Sequence, residues 1–304
     1  MIRKTLLKTL WLTALLIPSA FTVQAAKPHK LLFFTKSSGF EHSVISWKDG
    51  KPSLAEKVFL DLGKKHSWEF EFSKDGSKFS PDYLKAFDAV IFYTTGDLTT
   101  TGTDGQPAMT AAGKQALFDY VKAGNGFIGL HSATDTFHTA NESQKGPERY
   151  ANHGKDADPY VCFLGGEFIV HGDQQKVANK VINPAFPGFE NLGESFSYHE
   201  EWYSLKDFNP DLHVLTVIDS PAMKGHMYER PPYPTSWARA EGKGRVFYTA
   251  MGHRDDIWTN PAYQEILSGA IRWATGEVDA AIPPNLKEAA PGAGTNPAFP
   301  APKK

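Results

Sequence analysis

Gly126-Phe127-Ile128-Gly129-Leu130-His131-Ser132-Ala133-Thr134-Asp135 is the stretch on which the fold turns. Apolar and small residues run without a polar interruption and then stop at a histidine followed by small residues. An unbroken run of this kind predicts a strand buried on both faces, the habit of a parallel sheet covered by helices. Leu31-Leu32-Phe33-Phe34-Thr35 and Ala89-Val90-Ile91-Phe92-Tyr93 read the same way, and shorter strands are expected at 70–72, 168–170, 213–218 and 246–248. Helical periodicity fills the gaps. Ser53 opens a helix with Leu54, Val58, Phe59 and Leu62 on one face, and Gly63 lies near its end. Thr110 caps a second helix, which Gly124 ends, and a third runs over 261–274 to stop at Gly276. Strands alternating with helices imply right-handed βαβ units, so the class is α/β, with helices on both faces of a mostly parallel sheet. The middle, about 141–206, is less regular and is expected to carry long loops and an added antiparallel piece.

The chain has 304 residues, 41% hydrophobic and 22% charged, which is a globular composition. A formal net charge of -2 argues against a nucleic-acid partner, which needs a basic stripe. Residues 1–25 read as a signal peptide: Arg3, Lys4 and Lys8 form the basic start, Leu10 to Leu16 the apolar run, and Val23-Gln24-Ala25 the cleavage site. No later run could span a membrane, so the expectation is a periplasmic or secreted protein. From Asp279 onward six prolines with Ala and Gly read as a flexible tail, 279–304. The single cysteine, Cys162, cannot form an intramolecular disulfide, and its apolar context reads as a buried small hydrophobe.

In open α/β sheets ligands gather outside the carboxyl ends of the strands. Four strand ends here deliver polar groups: Ser37-Ser38-Gly39-Phe40-Glu41-His42, Thr94-Thr95-Gly96-Asp97, His131-Ser132-Ala133-Thr134-Asp135, and Gly252-His253-Arg254-Asp255-Asp256. His131, on a tight turn directly after a buried strand, is expected to stand exposed at the top of the sheet, as acid/base or metal ligand. His253 is its expected partner, oriented by Asp255, with Glu201 as a second acid/base or ligand. His42, His131 and His171 are the imidazoles expected to serve a divalent metal such as zinc, although no helical i, i+4 spacing marks such a site. Trp202, Tyr203 and Trp237 offer flat rings for the apolar faces of a sugar. Gly102 to Gly105 lacks the lysine of a phosphate loop, so no nucleotide cofactor is expected.

These segments together resemble the ThuA-like (trehalose-utilisation) family, which has a flavodoxin-like three-layer sandwich of the class I glutamine amidotransferase type. The likeness spans about residues 28–277, within a domain placed at 27–278, and rests on residues 34–42, 88–97, 124–136 with Gly129-Leu130-His131-Ser132, 163–171, 200–203, and 234–253 with Trp237-Ala238-Arg239. Ile271-Arg272-Trp273-Ala274 also fits. The resemblance implies that His131 stands where an amidotransferase has its cysteine nucleophile, and that His253-Arg254-Asp255 corresponds to its His-x-Glu pair. Glutamine hydrolysis through a thioester is thereby excluded, because imidazole does not replace a thiolate in that chemistry. The implied role is sugar-related, toward a sugar or (keto-)glycoside, with Ser38, His42, Asp97, Ser132, Trp202, Tyr203, Trp237 and Arg239 as expected substrate contacts. The open alternatives are a carbohydrate-active hydrolase or lyase, a non-catalytic carbohydrate-binding protein on the same scaffold, and a metal-carrying or interaction module.

Overall fold

The computed structural model describes residues 27–139 and 146–301; the expected signal peptide lies outside them. The strands are β1 (Lys30–Phe34), β2 (Glu69–Ser73), β3 (Ala89–Phe92), β4 (Gly126–Leu130), β5 (Glu167–His171), β6 (Gln175–Val181), β7 (Ser195–Glu200), β8 (Tyr203–Lys206), β9 (His213–Ile218), β10 (Tyr233–Glu241) and β11 (Gly244–Thr249). The α-helices are α1 (Leu54–His66), α2 (Pro81–Leu84), α3 (Ala111–Lys122), α4 (Pro159–Leu164), α5 (Asp255–Trp258), α6 (Pro261–Ala274) and α7 (Leu286–Ala289). Nine strands form one sheet in the order β2-β1-β3-β4-β11-β10-β9-β6-β7, and β5 pairs with β8 separately. Pairing from β2 to β11 is parallel. From β11 to β7 it is antiparallel.

The apolar runs become the centre of the parallel half because each can bury both faces. Leu31, Leu32, Phe33 and Phe34 are all fully buried. Phe33 meets Phe59 of α1 on one face, while Phe34 meets Phe79 on the other. Phe127 packs against Phe163 of α4, and Phe247 packs through Phe186 toward Trp273 of α6. Helices thus cover both faces and complete the three-layer α/β sandwich. No described helix is long and apolar enough to cross a membrane.

The middle carries the antiparallel piece expected of it, whereas the C-terminal segment differs from the expectation. The middle holds the antiparallel β5–β8 ribbon together with β6 and β7. The segment after Asp279 is packed rather than loose, as far as it is described. Asn285 accepts from the Val214 amide at 2.6 Å and donates to its carbonyl at 3.3 Å. Arg230 donates to the Ala293 carbonyl at 2.7 Å, and Ala290 and Ala293 are buried. Proline-rich chain cannot make its own core, but it can lie along one, its backbone satisfied by side chains of the sheet.

Candidate functional site

Three loops at the carboxyl ends of the parallel strands bring histidines together. The loop after β1 is pinned to the end of β3: Ser38 N donates to Thr95 O at 2.8 Å, and Thr95 Oγ1 donates to Phe40 O at 2.9 Å. The buried Lys74 ammonium holds Glu41 at 2.9 Å, so the next residue, His42, is aimed inward. After β4, His131 adopts a left-handed φ of 43°, a conformation costing a non-glycine residue about 1–3 kcal/mol. Its surroundings hold it there: Tyr248 donates to the His131 carbonyl at 2.7 Å, and His131 Nδ1 donates to Ala250 O at 2.9 Å. Gly129, two residues earlier, is closely packed: a Cβ there would press on the Leu164 methyl at 2.8 Å and on Ala133 Cβ at 3.1 Å.

The fourth contribution crosses from the antiparallel half. Glu200 ends β7, and Glu201 follows it in the link to β8. Buried Glu200 accepts from the backbone of Glu201 at 2.8 Å, Gly252 at 3.0 Å and His253 at 3.2 Å, clamping the link against the loop after β11. Burial raises the Glu200 carboxyl, against the lowering pull of His131 and these amides. Glu201 then faces three imidazoles: His171 Nδ1 at 3.3 Å, His253 Nε2 at 3.5 Å and His131 Nε2 at 3.5 Å. Burial alone would raise Glu201; the attraction of His131, and then of His171 and His253, outweighs it and holds the carboxyl below its usual range. Burial, then His131, holds His42 well below the usual imidazole range and brings His253 down to about 4, so both are neutral near pH 7.

These groups border a chamber of about 210 Å³ lined by Phe40, His42, Asp135, Phe168, His171, Glu201, Tyr203 and His253. It adjoins a cleft of about 830 Å³ that shares Phe40, Asp135, Phe168 and His171 and adds Ser38, Asp97, Thr99, Lys114, Arg149 and Asp158. Asp135 meets His138 at 2.5 Å, and His138 meets the fully buried Glu167 at 3.1 Å.

The family profile for ThuA, trehalose utilisation, matches residues 30–274. The chain belongs to the ThuA family. A ThuA-like protein from Bacteroides uniformis ATCC 8492 shares 23% identity over 87% of this chain and 98% of its own, with a TM-score of 0.59. Another from Parabacteroides merdae ATCC 43184 shares 18% identity over 90% of this chain and 98% of its own, with a TM-score of 0.51. No curated protein matches. The two solved structures carry the fold of this ThuA chain and nothing finer.

On this ThuA scaffold the expected residues separate. His42, His171, Glu201, Tyr203 and His253 line the chamber, and Ser38 and Asp97 line the cleft. His131 is drawn into the cluster but is fully buried behind it, its ring 4.3 Å from Tyr203 and 5.0 Å from His42. It does not stand exposed, because its left-handed turn folds the ring under the loops. Ser132 is fully buried beside it. Asp255 does not orient His253. It lies exposed in the first turn of α5, and Gln174 reaches His253 Nδ1 instead, at 3.3 Å. Trp202, Trp237 and Arg239 are buried and donate to the Gln175, Leu164 and Phe163 carbonyls, Arg239 also pairing with Glu241 at 2.8 Å, away from both cavities. The expected metal trio of His42, His131 and His171 also changes: His42 groups with Glu201 and His253, their donor atoms within 4.8 Å of one another. Cys162 lies in α4, away from the elbow, and is half-buried rather than buried. Gln174 carried no signal in the sequence, and Asp135 and Glu200 stood in polar segments without a role of their own. For those two the signals were present: Asp135 closes the same strand-end segment as His131, and Glu200 adjoins Glu201.

Proposed function

We propose that this protein is an exported enzyme that cleaves a sugar or (keto-)glycoside by proton transfer in the histidine chamber. The observation that carries this reading is His171. Its Nδ1 faces Gly172 O at 3.1 Å and Glu201 Oε1 at 3.3 Å, which places the proton on Nδ1 and leaves the Nε2 lone pair for a ligand. The bond to Gly172 O fixes the tautomer, the part a carboxylate plays behind the imidazole in the hydrolytic triads. His171 is also exposed and lines both cavities, so a bound molecule can reach it.

The larger cleft suits a sugar. Phe40, Phe137 and Phe168 supply flat apolar faces, and Asp97, Thr99 and Asp158 supply partners for hydroxyls. The family's description, trehalose utilisation, supports a glucoside. In a keto-glycoside the C–H beside the ketone is acidic enough for imidazole. His171 Nε2 takes that proton and the electron pair forms a C=C bond. The C–O bond to the departing sugar breaks, and its oxygen takes the proton back from His171. General acid–base groups contribute about 10²- to 10⁴-fold. The His171→Asn variant should therefore lose at least about 100-fold in kcat on a 3-keto-glucoside while keeping its fold and binding. Chromatography of products, beside calorimetry of binding, reads this out. Full activity of the variant, or tight binding by the parent protein with no product, overturns the proposal.

A further inference from the structure

We infer that the chamber holds a divalent first-row metal ion, ligated by His42, Glu201 and His253, an assignment that adds an electrophile to the sugar site proposed above and rests on that reading only for its use. One imidazole nitrogen of each histidine and one oxygen of Glu201 lie within 4.8 Å of one another. Two imidazoles on a tetrahedral ion, with metal–nitrogen bonds of about 2.0–2.1 Å, have ring centroids about 5.2 Å apart. The His42 and His253 rings lie 5.3 Å apart at 85°. His42 is 3% exposed, and its Nδ1 has no hydrogen-bond partner, a costly arrangement for an imidazole unless something else fills the position.

The carboxylate gives the second observation. Its contacts to the three imidazoles, at 3.3–3.5 Å, are all longer than the roughly 2.7–2.9 Å of a charge-assisted hydrogen bond. Donors converge on Glu201 without closing on it, as groups arranged around an ion do. Two histidines and one carboxylate leave coordination positions open, the pattern of a catalytic rather than a structural site. A sugar ketone or hydroxyl from the adjoining cleft is the chemical class suited to such a position. His131 stands behind the set. Its Nδ1 is committed to Ala250 O, and its Nε2, buried and without a hydrogen-bond partner, stands 3.5 Å from Glu201 Oε2, outside the group formed by His42, Glu201 and His253. Ligation through His253 Nε2 puts that ring's proton on Nδ1, so the Gln174 amide, whose nitrogen faces Nδ1 at 3.3 Å, must turn and give up the bond its oxygen accepts from Arg254 at 2.7 Å.

The test uses full-length protein purified without metal-affinity resin. Elemental analysis should find stoichiometric metal. After chelator treatment and dialysis, calorimetric titration with zinc chloride should saturate at one site. A cobalt-loaded sample should show the visible absorption of a low-symmetry ion. His42→Gln and His253→Gln, which keep bulk in the chamber, should each weaken zinc binding by at least about tenfold, since even residues that only support metal ligands cost that much. His171→Asn should bind zinc as the parent does. So should His153→Ala, in the other His/Glu/Asp group of the described residues, with Glu167 and Asp207. Absence of saturable binding, or parental affinity in both glutamine variants, overturns the metal site. Turnover undiminished by chelator overturns the metal's use but leaves the sugar reading standing. Metal bound with no sugar turnover does the reverse.

Discussion

Strands β2, β1, β3, β4 and β11 run parallel with both faces covered at their centre, whereas β10, β9, β6 and β7 run antiparallel toward an edge of alternating exposure. The halves contribute differently to the site. The parallel half presents His42, His131 and His253 from strand ends that all point one way. The antiparallel half presents Glu201 from the short link between β7 and β8, with His171 from the neighbouring ribbon. The imidazoles of one half thus meet the carboxylate of the other at a seam, and Glu200 is the clasp across it.

Breaking the clasp should have the largest effect. Glu200→Ala leaves three backbone N–H groups without their acceptor. Each unsatisfied buried donor costs about 1–3 kcal/mol, so a loss of roughly 3 kcal/mol or more is expected, measured by urea unfolding. Glu200→Gln should recover part of it, because an amide oxygen still accepts. A loss under about 1 kcal/mol for the alanine variant would show that the seam is held by packing alone. Next comes the far side of the antiparallel half. Asn285→Ala removes both side-chain bonds to Val214 and loosens the C-terminal strap over β9, for an expected cost of about 2 kcal/mol. An unchanged unfolding midpoint would mean that the strap lies on β9 without stabilising it.

Legibility in the sequence divides along the same seam. Leu31–Phe34, Ala89–Tyr93 and Gly126–Leu130 announced themselves because strands buried on both faces must be apolar at every position. The capping residues Ser53 and Thr110 announced their helices. β6, Gln175-Lys176-Val177-Ala178-Asn179-Lys180-Val181, has one wetted face and several long polar side chains, so it resembles a loop until its partners are known. The site split likewise. Histidines at strand ends could be found from position alone, but which atom each offers depends on packing. Asp255 seemed placed to orient His253 because it is near in sequence, yet the chain enters α5 at that point and Gln174, 79 positions away, takes the contact. His131 drew attention correctly as a member of the cluster. Its burial came from a positive φ that no local pattern announces. The strap was hidden for a further reason: its composition forbids a core of its own but says nothing of one it can borrow.

A smaller effect is expected wholly within the parallel half. Ser53 and Glu56 form a reciprocal capping box at the start of α1, at 3.2 Å and 2.7 Å, and Glu56 also accepts from Trp47 at 2.7 Å. Ser53→Ala should cost about 1 kcal/mol by urea unfolding. It should leave activity unchanged, because the helix is fixed by its apolar face as well. Lost turnover in this variant would mean that the loop carrying His42 depends on the Trp47–Glu56 contact more than on its anchors to Thr95 and Lys74.

The smallest change to the molecule is a pH scan of Cys162, the single thiol of the chain. It sits between the halves, in a hollow shared with Phe118 and Lys122 on one side and Asn209 and Arg239 on the other. Burial, and then the nearby Asp207, raise its pKa above the usual thiol range. The thiolate is the reactive form, and the raised pKa lowers its fraction at any given pH. Alkylation of the folded protein near pH 7.5 should therefore be about tenfold slower than that of the denatured chain for each unit by which the pKa is raised, with shielding adding to the difference. The gap should narrow as pH climbs past the folded value. Equal rates in folded and denatured protein near neutrality would contradict the burial. A Glu200→Ala variant whose Cys162 labels as slowly as the parent's would show that the clasp acts on the chamber alone, whereas faster labelling would show that the two halves part as units.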